Sequence, residues 1–369
     1  MMKILHIHAS LGGGGIEAMI CALANEQAKT NDVTVCTIYE PKQEDVFYHQ
    51  LSPQVHKLTC HKQTGGSKCK ILFDIAKLVR AGRYDVVHMH STMYYYLPTI
   101  LALMFTSTQM VYTLHSTALM ENDSWDKKLI WLKKIFFKHH VLHPVTISEA
   151  SAQSFDDLYH LKSKTIYNGI PQPQLTEVPS GIIAPYRYTN ATRILLHPGR
   201  IDAVKNQVML CHVVQRLIDE GHDLVLLIAG SINHPDVYEQ LRPLFNDRIV
   251  YLGEMNNIPQ LLSESDAFCL PSIYEGLPIS LLEALSVGCI PICSPVGGIV
   301  NVVTSGSNGI LSASSGETDY EAALREYLAM SPEATDKMKK RCKASFSPYS
   351  IERASQAYLD YYREILKKQ

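Results

Sequence analysis

Two glutamates eight positions apart, Glu275 and Glu283, sit in the stretch Pro271-Ser-Ile-Tyr-Glu275-Gly-Leu-Pro278-Ile-Ser-Leu-Leu-Glu283-Ala-Leu-Ser-Val-Gly288. Carboxylates accept hydrogen bonds from hydroxyls, and the amide N–H groups that open a helix attract anions. A ligand carrying both hydroxyls and phosphate would fit between the two. The plainer alternative is an ordinary α/β helix with one capping and one salt-bridged glutamate. Upstream, Arg200 and Lys205 flank a strand-to-helix turn. There a planar fork and a point charge can clamp a diphosphate, although exposed basic residues beside a turn are common. His115 follows an apolar strand, and Gly12-Gly-Gly-Gly15 follows another.

These residues need elements to hold them. Pro278 suits the first turn of a helix and Gly288 the residue just past its end, which predicts a helix from about Leu277 to Val287. Its apolar residues fall on nearly every side, so it should be buried, and Glu283 among them is costly unless something hydrogen-bonds it. The glycine run lies between a strand over Lys3–His8 and a helix over Ile16–Gln27. Glycine there permits positive φ and close approach of a ligand. The run lacks the spacing of a dinucleotide fingerprint, and a merely tight turn fits equally well. His115 ends the strand Met110–Leu114, where parallel sheets place both ligand contacts and structural histidines.

The frames Ser-x-Tyr-Glu-Gly-Leu-Pro and Leu-Leu-Glu-Ala resemble the signature of family 4 retaining glycosyltransferases of the GT-B fold. The resemblance implies two doubly wound, Rossmann-like α/β domains facing across a cleft. It places Glu275 at the transferred sugar, Gly276 and Leu277 among the substrate-binding residues, and Glu283 on the ribose hydroxyls of a UDP- or GDP-sugar. By the same resemblance Gly14 and Gly15 face donor and acceptor, and His115, in Thr-x-His-Ser, touches the sugar. Arg200 and Lys205, as Gly-Arg-x4-Lys, hold the diphosphate, while Gly253, Glu254 and Met255 meet the base. Val300-Asn301 departs from the Pro-Glu that the family often carries after Gly297-Gly298. No Asp-x-Asp motif is present to bind a divalent cation, so neither metal nor cofactor is expected. Domains are expected over 1–170 and 194–348, with a linker at 171–193 that holds four prolines and a last helix over 349–369 packing back on the first domain.

Composition sets the frame. A chain of 369 residues with 46% apolar and 19% charged content suits two well-packed domains, and a net charge of -2 argues against nonspecific nucleic-acid binding. Nine scattered cysteines read as reduced core residues of a cytoplasmic protein, and Cys60-His61 with Cys69 lacks a fourth ligand at zinc-like spacing. The apolar N-terminal strand is too short for a signal-peptide core. Trp125–His140 mixes five lysines with aromatic residues. It reads either as a contact with an anionic membrane or as a surface helix whose aromatics face the core. The family resemblance, together with this stretch, implies a glycan or lipid-linked glycan as acceptor, at the inner face of the cell membrane. An epimerase or binding protein for nucleotide sugars could use the same residues. A nicotinamide oxidoreductase built on the glycine run is disfavoured by the absent ribose acid.

Overall fold

The computed structural model describes residues 1–62, 68–90, 97–121 and 126–368, so Trp125 lies outside it. The chain divides into two compact units, Met1–Pro171 with Tyr349–Gln369, and Gln172–Pro348.

In the first unit β1 (Lys3–His8), β2 (Asp32–Tyr39), β3 (His56–Lys62), β4 (Val86–Met89), β5 (Gln109–Leu114), β6 (His143–Thr146) and β7 (Lys164–Thr165) form one sheet. Its order is β3-β2-β1-β4-β5-β6-β7, and every pairing is parallel. Runs such as Val33, Val35 and Cys36 are fully buried because a parallel sheet is covered on both faces. The strand order reverses between β1 and β4, the place where such sheets open a crevice at their carboxyl ends.

The second unit repeats the plan with β8 (Arg193–Pro198), β9 (Leu224–Ala229), β10 (Ile249–Gly253), β11 (Ala267–Leu270), β12 (Ile290–Cys293) and β13 (Ile310–Leu311). The order is β10-β9-β8-β11-β12-β13, again parallel, with its reversal between β8 and β11.

The last helix, Ile351–Leu366, belongs to the first unit although it follows the second in sequence. Ala354, Tyr358, Tyr362 and Ile365 are buried at helical spacing. The Tyr358 hydroxyl lies 3.2 Å from Thr113 Oγ1 and the Tyr362 hydroxyl 2.6 Å from His88 Nδ1. Gly169 is small for a reason. A Cβ there would come within 2.7 Å of Ala354 Cβ and the Ser350 carbonyl.

Three elements differ in detail from the sequence reading. The proline-rich stretch groups with the second unit, because Ser180 N and Oγ each lie 2.7 Å from the Glu264 carboxylate and Arg187 lies 2.9 Å from Asp266. The glutamate helix runs Ile279–Val287, since Pro278 adopts extended φ −70° and ψ 127° and stands one residue before it. The basic stretch forms a helix only over Ile130–Lys138, after a 3₁₀ turn at Asp126–Leu129. There Phe136 and Phe137 are buried as expected of core-facing aromatics, but Lys133 is buried as well, its ammonium 5.7 Å from the Tyr112 ring centre. No helix among the described residues is long and apolar enough to cross a membrane.

Candidate active site

In the second unit the reversal point gathers the carboxyl ends of β8 and β11. After β8 come Gly199 and Arg200, then Asp202, whose side chain caps Val204 N, and Lys205. Asn206 turns the chain with φ 58° and donates from Nδ2 to the Pro271 carbonyl at 3.3 Å. Ile273 N donates to the Val204 carbonyl at 2.8 Å, so the loops after β8 and β11 are tied together.

That tie brings Lys205 to Glu275. Lys205 Nζ lies 2.6 Å from Glu275 Oε1, and Ser272 Oγ donates to the same oxygen at 2.7 Å. Glu275 is 9% exposed, and its Oε2 has no partner among the described residues. A third loop fixes its backbone. Gly298 N donates to the Gly276 carbonyl at 2.7 Å, and Gly297, at φ 55°, lies so close that a Cβ would overlap the Glu275 carbonyl. Arg200 is exposed and its guanidinium has no partner among the described residues, while its carbonyl accepts from Gln207 Nε2 at 2.7 Å. A fixed carboxylate, a lysine and an unpaired guanidinium thus occupy two adjacent loops.

Pro278 leaves the amide N–H groups that open the glutamate helix without a side-chain cap. Five residues into the helix, the Glu283 carboxylate has no hydrogen-bond or ion-pair partner among the described residues, and burial pushes it up to about 7. Leu277 is buried, Gly276 half-buried. Gly253 ends β10 at φ 77° and accepts from Gly230 N at 2.8 Å; exposed Glu254 and half-buried Met255 follow. No hydrogen bond joins any of these three to Glu275 or Lys205 among the described residues.

His115, Gly14 and Gly15 belong to the first unit. Gly14 precedes the helix Gly15–Gln27 without a side-chain cap, and a Cβ on it would strike the Glu17 carboxylate. Glu17 Oε1 lies 3.7 Å from His8 Nε2. His115 is buried, its backbone N donating to Glu121 Oε1 at 2.8 Å, and burial lowers its imidazole to about 3.

Sequence reasoning passed over several polar residues here. Ser272 was visible as the serine three residues before Glu275. His197, on β8, donates from Nδ1 to the Cys269 carbonyl at 2.8 Å; its Nε2 is buried without a partner, and burial lowers it to about 4. Its signal was the histidine two places before Gly199. His6, His88 and His90 cluster at the reversal point of the first sheet, with His6 opposite His88 in register. Their nitrogens come within 4.8 Å of one another, yet each already has a partner. His6 bonds Gln27 and His90, His88 bonds Thr113 and Tyr362, and His90 bonds His6 and His115. A metal ion could enter only by breaking these bonds. The histidines alternate along two strands, and only the strand pairing shows that they meet.

The chain matches two family models, Glycosyltransferase Family 4 over residues 13–172 and Glycosyl transferases group 1 over 185–345. It is 27% identical to the Escherichia coli UDP-Gal:alpha-D-GlcNAc-diphosphoundecaprenol alpha-1,3-galactosyltransferase, a match covering 66% of each chain. It is 24% identical to a Campylobacter jejuni alpha-1,4-N-acetyl-D-galactosaminyltransferase acting on an undecaprenol-linked glycan, across 93% of this chain and 94% of that one. The structure of Anabaena HepE in complex with UDP and glucose superposes with a TM-score of 0.80 at 18% identity, covering 98% of this chain and 99% of that one. Two parallel doubly wound units, a shared fold and two family models spanning both units place this chain in glycosyltransferase family 4, with the GT-B fold.

Proposed function

We propose that the protein transfers a sugar, with retention of configuration, from a UDP-sugar to a hydroxyl of a lipid-linked or growing surface glycan. The carrying observation is the Lys205–Glu275 pair at 2.6 Å, with the guanidinium of nearby Arg200 unpartnered among the described residues. In this reading Arg200, Lys205 and the amides opening the glutamate helix take the charge that grows on the departing diphosphate, and no divalent cation is required. Glu275 Oε2 orients a hydroxyl of the transferred sugar, Glu283 accepts from the two ribose hydroxyls, and Gly253, Glu254 and Met255 offer backbone to the base. Gly14, Gly15 and His115 are read as sugar contacts. The E. coli and C. jejuni relatives act on undecaprenol-linked acceptors, which supports a lipid-linked acceptor here.

Such an acceptor requires work at a membrane. Trp131 and Ile135 are exposed one helical turn apart, with Lys127, Lys134 and Lys138 around them. An amphipathic face of this kind seats on anionic lipid, each lysine contributing about 1 kcal/mol. The cytoplasmic leaflet supplies that charge, and the free thiols of this chain suit a reducing compartment.

A screen of UDP- and GDP-sugars tests the donor. One UDP-sugar should raise the melting temperature more than UDP does and be hydrolysed slowly without acceptor, and proton NMR of the released sugar should show the donor's anomer first. No stabilisation or hydrolysis by any nucleotide sugar would remove the reading.

A further inference from the structure

Three imidazoles and one amide of the first unit form an unbroken hydrogen-bonded line. Gln27 Oε1 lies 2.9 Å from His6 Nε2, His6 Nδ1 lies 3.0 Å from His90 Nε2, and His90 Nδ1 lies 3.1 Å from His115 Nε2. All four side chains are buried. A neutral imidazole has one N–H and one lone pair, so each bond dictates the next. Burial keeps the rings neutral, lowering His6 to about 4 and His90 further below its usual range.

The order of protons then follows from the amide oxygen, which only accepts. His6 must carry its proton on Nε2, so its Nδ1 is a lone pair and His90 must donate from Nε2. The same step puts the proton of His115 on Nε2. What is left at the end is His115 Nδ1, a buried lone pair with no partner among the described residues. His88 does not interrupt the line, because its nitrogens are taken by Thr113 at 2.6 Å and Tyr362 at 2.6 Å. If the Gln27 amide were turned over, its N–H would donate to His6 and every proton would move to Nδ1. His115 would then end the line as a donor.

We propose that Gln27, His6 and His90 are positioning residues that hold His115 as its Nε2–H tautomer, so that Nδ1 can only accept and selects a sugar hydroxyl over a carbonyl or phosphate oxygen. The identity of the partner rests on the glycosyltransferase reading; the order of protons does not. A buried lone pair facing a group that cannot donate is left unsatisfied, which makes the tautomer a source of selectivity.

Long-range proton–nitrogen NMR of the full-length protein labelled with ¹⁵N-histidine reads the tautomers directly, with His115→Gln used for assignment. His6, His90 and His115 should all show the Nε2–H pattern at neutral pH. An Nδ1–H pattern at His115 in the wild type overturns the proposal, and this needs no variant to fold. Gln27→Leu removes the anchor, and both tautomers of His115 should appear; an unchanged pure Nε2–H signal there means that the line does not set it. Finally, UDP-glucose, UDP-galactose and UDP-N-acetylglucosamine are each compared with UDP. At least one should shift the His115 Nδ1 resonance beyond the effect of UDP, and no shift by any of them while UDP binds removes the hydroxyl contact. Lack of turnover with every nucleotide sugar would instead sink the enzymatic reading and leave the tautomer order standing.

Discussion

A carboxylate without a partner in an apolar helix destabilises the protein that holds it, and among the described residues Glu283 is such a group, raised by burial from 4.5 to about 7. Between those values the folded protein keeps a proton that the unfolded chain has released, so stability should fall as pH rises through this window. The full effect is about 3 kcal/mol. Glu283→Gln should flatten that slope and melt higher than wild type above pH 7. In the proposed role, two ribose hydroxyls donate to the carboxylate and favour its charged form. UDP binding should then release a proton, tighten from roughly pH 6 to roughly pH 8, and weaken by about 1 to 3 kcal/mol in Glu283→Gln. Calorimetric titration with UDP measures all three, and an affinity indifferent to pH and to the substitution would leave Glu283 a structural acid. The two cations should separate in a similar way. The Arg200 guanidinium has no partner among the described residues, so Arg200→Ala should leave the melting temperature unchanged and cost about 2 to 4 kcal/mol in kcat/KM. Lys205→Ala should lose turnover and also about 1 to 3 kcal/mol of stability, because Glu275 keeps only Ser272. Equal melting temperatures for the two variants would mean that the Lys205–Glu275 pair does not stabilise the loop.

At the scale of elements, the glutamate loop is held by a neighbour rather than by itself. Gly297 at φ 55°, where a Cβ would overlap the Glu275 carbonyl, leaves no space for a side chain. Gly297→Ala should cost about 1 to 3 kcal/mol and reduce turnover by displacing Glu275; full activity in that variant would show that the loop tolerates the shift. The basic helix carries a second expectation. Replacing Lys127, Lys134 and Lys138 with Gln should abolish co-sedimentation with anionic vesicles at low salt, whereas Lys133→Gln should leave it intact and lower the melting temperature. Sedimentation unaffected by the triple substitution would argue for an acceptor away from the bilayer. Lys133 also shows what sequence could not give. Its neighbours Phe136 and Phe137 read correctly as core-facing, but a lysine among them reads as solvated, and only the packing shows that its stem runs inward toward Tyr112. Strands were legible because fully buried parallel strands are apolar throughout, and the family frames located the loops at the strand ends. The start of the glutamate helix was misplaced because the φ of proline suits a helix as well as the extended residue before one. The histidine line was hidden because it depends on which strands are neighbours, and local periodicity carries no such information.

For the whole molecule, the division into Met1–Pro171 with Tyr349–Gln369 and a contiguous Gln172–Pro348 makes the two units unequal as folding problems. The second unit, expressed alone, should melt cooperatively and gain stability from UDP if it carries the nucleotide as proposed. A chain ending at Pro348 should retain that transition while losing amide protection in β1, β4 and β5, because Tyr358 and Tyr362 no longer cover Thr113 and His88. Unaltered exchange in those strands would mean that the first core is complete without its last helix. This division also bears on how the protein is made. Units fold as they are synthesised, amino-terminal ones ordinarily first. Here the helix that closes the first sheet is translated after the whole of the second unit, so the second unit can finish folding while the first still waits with its buried histidines open to water. A nascent chain whose second unit has folded while Ile351–Leu366 is not yet free would therefore hold a finished second unit beside an unfinished first one, and the first unit would be that chain's target for chaperones.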